Sequence, residues 1–276
     1  MQWQDRINAL DNLDGIDKLV EIMAMLRDPE NGCPWDLKQT FKSIVPYTIE
    51  EAYEVADAIE KLDFNEVKKE LGDLLFQVVF YGQLGTEQQM FGISQIADSM
   101  SDKLISRHPH VFANTSFASD DEINANWEKT KSEERTATDP KNVSALDDIP
   151  IALPALSRAY KIQKRASSVG FDWPDVNGAI DKVFEEIDEV QHEIKQGKVD
   201  KDKLADELGD LYFALTNVTR HLGFKPEDVV RLANNKFDRR FRDVERQVTA
   251  ANKNMTNMTL EELDALWEMA KANTAK

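Results

Sequence analysis

Glu185-Glu186-Ile187-Asp188-Glu189, with Glu207-Leu208-Gly209-Asp210 following, is the stretch that decides how this chain is read, because it occurs twice. The first copy is Glu50-Glu51-Ala52-Tyr53-Glu54 with Glu70-Leu71-Gly72-Asp73. Glu185 trails Glu50 by 135 residues and Glu207 trails Glu70 by 137, so the two halves of the 276-residue chain repeat one plan. Side chains three or four positions apart share a helix face, so each block aims its carboxylates in one direction. Two such helices packed antiparallel bring four or five carboxylates together, a hard-oxygen set suited to Mg²⁺ or Mn²⁺. Without a cation, that much negative charge in one place disfavours ionising every member.

A solvated, glutamate-rich helix face is the ordinary explanation for one such block. Three features argue against it here. Each block is followed at a similar distance by a Glu-x-x-Asp, both of those pairs lie in Glu-Leu-Gly-Asp-Leu, and the whole arrangement recurs. Apolar neighbours (Leu71, Leu74 and Leu75; Leu208, Leu211 and Phe213) set these helices against a core. Acid beside a buried seam needs a partner.

Around these blocks the pattern is helical nearly throughout. Leu10, Leu13, Ile16, Leu19, Val20, Met23 and Leu26 predict one amphipathic helix, broken by the loop Asp28-Pro29-Glu30-Asn31-Gly32-Cys33-Pro34. The first acidic block is expected on a helix from about Pro46 to Leu62, and Glu70 and Asp73 on one from Phe64 to Leu84. A further helix runs from Ile93 to Arg107 and stops before Pro109. Trp127 to Arg135 reads as a charged, exposed helix, and Thr136 to Pro150 as a linker. The second half then repeats the scheme, with helices expected over about 154–167, 175–196, 200–222 and 226–249. Thr259 and Glu262 form a capping box for a last helix. No stretch alternates as a strand. The expected fold is all-α, two tandem helical bundles over residues 1–115 and 151–276 joined through 116–150.

The composition narrows the function. A net charge of −17 argues against a nucleic-acid partner, which needs a positive surface, but leaves room for a small phosphorylated ligand held through a divalent metal. Cys33 is the one cysteine, so no intrachain disulfide forms, and no residue nearby activates it as a nucleophile. The start of the chain has no signal-peptide pattern, and the most apolar run, Leu74 to Tyr81, is interrupted by Gln77 and too short for a bilayer. The expectation is a cytoplasmic protein with no membrane partner.

Basic residues repeat as well. Lys103 with Arg107 and Lys236 with Arg240 recur 133 residues apart, each four residues apart on a helix face. Either pair alone is ordinary surface; downstream of a metal-binding acid cluster, each suits phosphate oxygens the metal leaves uncovered. Lys182 stands three residues before Glu185, where the first half has Tyr47. The second half is therefore the expected working site. Glu189-x-x-His192 resembles one arm of a di-iron carboxylate bundle, but neither Glu-x-x-Asp supplies the second arm. His108-Pro109-His110 reads as a turn with local hydrogen bonds, and His221 as a favourable charge at a helix end. No glycine-rich phosphate cradle occurs, so a triphosphate would be held by metal and Lys or Arg. Trp173 and Trp267 are candidate platforms for a base, with core packing the commoner use of the residue.

The duplicated Glu-Glu-x-x-Glu and Glu-x-x-Asp pattern resembles the all-α nucleoside triphosphate pyrophosphohydrolases. With Arg27-Asp28-Pro29-Glu30-Asn31-Gly32-Cys33-Pro34-Trp35-Asp36 and Arg107-His108-Pro109-His110-Val111-Phe112, the chain is similar to the two-domain MazG family over nearly its whole length. The resemblance implies Mg²⁺-dependent hydrolysis of nucleoside triphosphates to monophosphate and pyrophosphate, in a homodimer. It assigns Glu186, Glu189, Glu207 and Asp210 to the metal, Lys182, Lys236 and Arg240 to the phosphates, and Trp267 to the nucleotide. Glu51, Glu54, Glu70 and Asp73 form a second, complete candidate set. Glu185, beside the ligands, is the candidate general base. Two alternatives stand beside this: a narrower enzyme of the same kind, similar to a dUTPase or a phosphoribosyl-ATP hydrolase, and an acidic helical module that binds a nucleotide or a regulatory protein partner without turnover.

Overall fold

The computed structural model describes residues 3–119, 122, 123, 126, 127, 130, 133, 144–196 and 199–273. Among these no strand occurs, and the fold is all-α. The chain separates into two compact units, Met1–Ser132 and Glu133–Lys276. Most of the expected charged helix from Trp127 and of the linker from Thr136 lies outside the described residues, as does the expected junction at Gly197.

The first unit contains α1 (Trp3–Ala9), α2 (Gly15–Leu26), α3 (Phe41–Glu60), α4 (Phe64–Glu87), α5 (Ile93–Arg107) and the single turn α6 (Pro109–Phe112). The helix expected to run unbroken from Leu10 is interrupted: a 3-10 turn over Leu10–Asn12 ends at extended Leu13, and α2 starts at Gly15 with φ +55°. Asp14 and Gly15 supply a stop signal that the apolar spacing hides. Helix α3 begins five residues before the expected Pro46. Thr40 caps it reciprocally with Ser43, and Pro46 is accommodated inside. Asp63 caps α4 by accepting from the Asn65 and Glu66 amides. Met23, Ile44, Val79, Phe80 and Leu84 form the core, so α2 and α3 both lean on α4. Glycine is required at Gly85, where a Cβ would lie 2.4 Å from the Phe91 carbonyl oxygen as the chain turns into α5.

The second unit contains α7 (Ala155–Ser168), α8 (Val176–Lys195), α9 (Lys201–His221), α10 (Pro226–Ala250) and α11 (Leu260–Asn273). Asp175 caps α8, and Asp200 caps α9 as Asp63 caps α4. The expected Thr259–Glu262 capping box opens the last helix, with both of its hydrogen bonds formed. Helices α8 and α9 pack as an antiparallel pair, α7 lies on α9, and α11 folds back on α10. An apolar cluster of this unit, Val244, Val248 and Ala270, lies between α10 and α11. Along α8 and α9 the buried residues are small or polar: Ala179, Glu186, Ala214 and Thr216.

Candidate active site

The acidic helices meet as their spacing demands. In the second unit one carboxylate oxygen each from Glu186 on α8 and from Glu207 and Asp210 on α9 lie within 4.8 Å of one another. In the first unit Glu51 on α3 and Glu70 and Asp73 on α4 do the same. Glu189 and Glu54 stand just outside these groups of three. Glu189 lies close enough to Glu207 for their carboxyl groups to influence one another, and Glu54 stands in the same relation to Glu70.

The electrostatics follow from this crowding. Burial, then the charges of Glu186 and Glu207, raises the pKa of Glu189 above the usual carboxylate value. Burial, with Asp73, Glu54 and Glu50 nearby, raises Glu51, and burial with Glu54 raises Glu70. Each site thus carries more negative charge than it can comfortably keep. The donor set is all carboxylate oxygen, and Glu186, 2% exposed, has one oxygen (Oε2) buried with no hydrogen-bond partner. Such a set fits a hard divalent cation such as Mg²⁺ or Mn²⁺.

The two sites compensate their inner acid differently. In the second unit Lys182, one turn back on α8, reaches Glu186 Oε1 at 2.6 Å and Glu185 at 2.7 Å. Hydrogen bonds to Glu185 and Glu186 raise the lysine's pKa and keep it charged. In the first unit Tyr47 takes that position and stacks edge-on against Trp35. There the buried Gln77, on α4, lies beside Glu51 instead and works to lower its pKa against burial and the neighbouring carboxylates. Gln77 is a site residue that sequence reading misses. The available signal is its position, four after Asp73 and seven after Glu70, in an otherwise apolar run.

The remaining candidates are placed as follows. Glu185 is exposed beside the trio, held by Lys182. Lys236 is exposed on α10 and Arg240 is half-buried one turn on; α10 packs chiefly on α11 and α7. Trp267 is half-buried against the α10–α11 cluster, its ring 5.1 Å from that of Phe237. Lys182, Glu185, Glu186, Glu189, Glu207 and Asp210 are therefore gathered by α8 and α9, and Lys236, Arg240 and Trp267 by α10 and α11. His192 is engaged with Gln196 at 2.7 Å. His108 bonds the Leu104 carbonyl as a local turn contact. His221 is bound by a side chain as well as lying at a helix end: with Arg220 it grips Asp172, at 3.1 and 2.5 Å. Burial opposes ionisation of Asp172, but the Arg220 hydrogen bond and charge prevail and lower its pKa. This clamp ties the loop before α8 to the end of α9. Its counterpart in the first unit has the charges exchanged, with Arg27 from the end of α2 gripping Glu87 on α4.

Comparison with known proteins gives the same division. A model of the MazG nucleotide pyrophosphohydrolase domain matches twice, over 39–112 and 177–245, each match containing one acidic set. The chain is 54% identical to a nucleoside triphosphate pyrophosphohydrolase of Escherichia coli K12 over 94% of its own length and 98% of the relative's. It is 41% identical to the nucleoside triphosphate pyrophosphohydrolase/pyrophosphatase MazG of Thermotoga maritima, over 92% and 95% of the two chains. It is also 39% identical to an uncharacterised protein, YabN, of Bacillus subtilis, over 91% of this chain and 50% of that one. With the duplicated carboxylate helices and these two matches together, the chain belongs to the MazG family of nucleotide pyrophosphohydrolases.

Proposed function

We propose that this chain is a Mg²⁺-dependent enzyme that hydrolyses nucleoside triphosphates to monophosphate and pyrophosphate, with broad tolerance of the base, in the cytoplasm. The observation that supports this most is the convergence of Glu186, Glu207 and Asp210 with Lys182 already turned toward them. Glu186, Glu189, Glu207 and Asp210 would hold the metal, which when bound withdraws charge from phosphate oxygens and acidifies water. Lys182, Lys236 and Arg240 bind the phosphates and stabilise charge on the departing pyrophosphate. Glu185, exposed and outside the trio, takes the proton from the water that attacks the α-phosphorus, as the bond from that phosphorus to the bridging oxygen breaks. Trp267 contacts the nucleotide. Glu51, Glu54, Glu70 and Asp73 are a second metal set, without the lysine. The functional division is 1–115, 116–150 and 151–276.

The working form is a homodimer. Helices α8 and α9 leave Phe184 63%, Tyr212 64%, Leu215 44% and Phe213 40% exposed, an apolar face that a single copy does not cover. Gly209 sits inside α9 with nothing within 4 Å of where a Cβ would be, although an interior glycine costs a helix about 1 kcal/mol. A second copy packed on that face accounts for both features.

The test is release of monophosphate and pyrophosphate from mixed triphosphates with Mg²⁺, comparing wild type with Glu189→Ala and Glu54→Ala. Loss in Glu189→Ala alone assigns turnover to the second unit, and loss in both means two working or coupled sites. No turnover in the wild type refutes the enzyme reading.

A further inference from the structure

We propose that Trp173 is a nucleoside-binding residue of the second unit in addition to Trp267, a stacking shelf one helix turn from Lys182; this rests on the hydrolase reading above. The indole packs directly against the start of α8: a Cβ added at Gly178 would come within 2.9 Å of ring atoms Cδ2 and Cε3. Gly178, Lys182, Glu185 and Glu189 follow at steps of four, three and four, so they form one stripe along α8. The shelf, the lysine assigned to the phosphates and two of the site's acids, Glu185 and Glu189, therefore stand in a row. One step of four residues is about 6 Å of helix. A triphosphate anchored at Lys182 and the acids sends its nucleoside back along that stripe, toward the indole.

Two further observations fit a binding ring better than a core ring. Trp173 is 47% exposed, so one ring surface is seated on the helix while much of the rest faces solvent. The loop carrying it is held in place: Asp172 accepts from the Trp173 amide at 2.9 Å and is gripped in turn by Arg220 and His221. A fixed, half-exposed indole loses little entropy when a base stacks on it. In the first unit the loop tryptophan Trp35 lies against Tyr47, at the lysine's position, so of the two units the second alone has an aromatic shelf followed by a lysine. Stacking accepts any base, since each presents a π-face, which is the recognition a base-tolerant enzyme requires.

The test measures binding of a non-hydrolysable α,β-methylene nucleoside triphosphate and of inorganic tripolyphosphate, both with Mg²⁺, to the full-length protein by calorimetry. Trp173→Ala is expected to weaken nucleotide binding about 5- to 100-fold and to leave tripolyphosphate unchanged. Trp173→Phe should restore most of the loss. Gly178→Ala, which keeps the indole but forces it off the helix, should imitate Trp173→Ala and covers the case in which that variant does not fold. Equal loss for both ligands would make Trp173 a prop for Lys182 and overturn the proposal, as would no loss for either. Wild-type protein that binds tripolyphosphate as tightly as nucleotide refutes the shelf alone. Wild type that binds neither refutes the hydrolase reading as well.

Discussion

Replacing Lys182 tests whether Glu186 depends on a counter-charge from its own helix. Glu186 is 2% exposed and its Oε1 meets the ammonium at 2.6 Å. At that separation two unit charges attract by about 1.6 kcal/mol in water and about 6 kcal/mol at an effective dielectric of about 20. The lysine side chain is 39% exposed, so the pair lies between these limits. Allowing for desolvation and screening, about 1.5–3 kcal/mol is expected, the range for a hydrogen bond between charged groups. The exposed pair with Glu185 adds less than about 1 kcal/mol. The assay is a double-mutant cycle by scanning calorimetry in chelator, following the transition that Glu186→Gln displaces. At about 2–4 °C per kcal/mol for a unit of this size, Lys182→Met should lower the midpoint by roughly 3–12 °C. In the Glu186→Gln background the same replacement should move it by less than about 2 °C. An equal loss in both backgrounds would refute the reasoning, because the lysine would then act through packing or Glu185 alone.

Two further outcomes follow from the charges. Glu51, Glu70 and Glu189 have raised folded-state pKa values, so their contribution is full below the unfolded value and is lost as pH rises through the folded ones. Mg²⁺ held by these acids, as proposed, would relieve that loss, so the rise in melting temperature it produces should be larger at about pH 7.5 than at about pH 5, where protons compete with it. A larger metal effect at the lower pH would contradict the assignment. Arg27→Met strips the buried guanidinium from Glu87 and from the carbonyls of Asp36 and Gln39, and should cost about 2–4 kcal/mol. Because Arg27 depresses the Glu87 pKa, that contribution is present above the unfolded value and fades as pH falls through the folded one. The gap between wild type and variant in urea unfolding should therefore narrow from about pH 7 to pH 3, and a constant gap would mean that the charge is not what matters.

The features legible in the sequence were those carried by local spacing. Carboxylates three and four apart must share a helix face, so three members of each acidic set, their antiparallel helices and the Thr259 capping box could be read from residue order, while Glu54 and Glu189 fall just outside the groups of three. Helix starts were less legible. Pro46 looks like a beginning, but Thr40 and Ser43 cap the chain earlier, and the ring is tolerated in the second turn. The break at Asp14-Gly15 lay beneath an apolar periodicity that runs straight through it. The tertiary partners of the site residues were hidden. Gln77 looks like an interruption of an apolar run until α3 packs on it, and Asp172 finds Arg220 48 residues away only once α7, α8 and α9 have docked. Spacing along a helix fixes direction, but it does not say what stands opposite.

The different guardians of the inner acids leave the halves unequal in ionic terms. Each half retains five carboxylates, yet the second carries its own cation within a single helix, whereas Gln77 brings an amide dipole and no charge. At Glu51 more of the screening therefore falls to dissolved ions, whereas at Glu186 part of it is built into the covalent chain. Duplication has kept the carboxylate oxygens in both halves while letting their dependence on the surrounding electrolyte diverge.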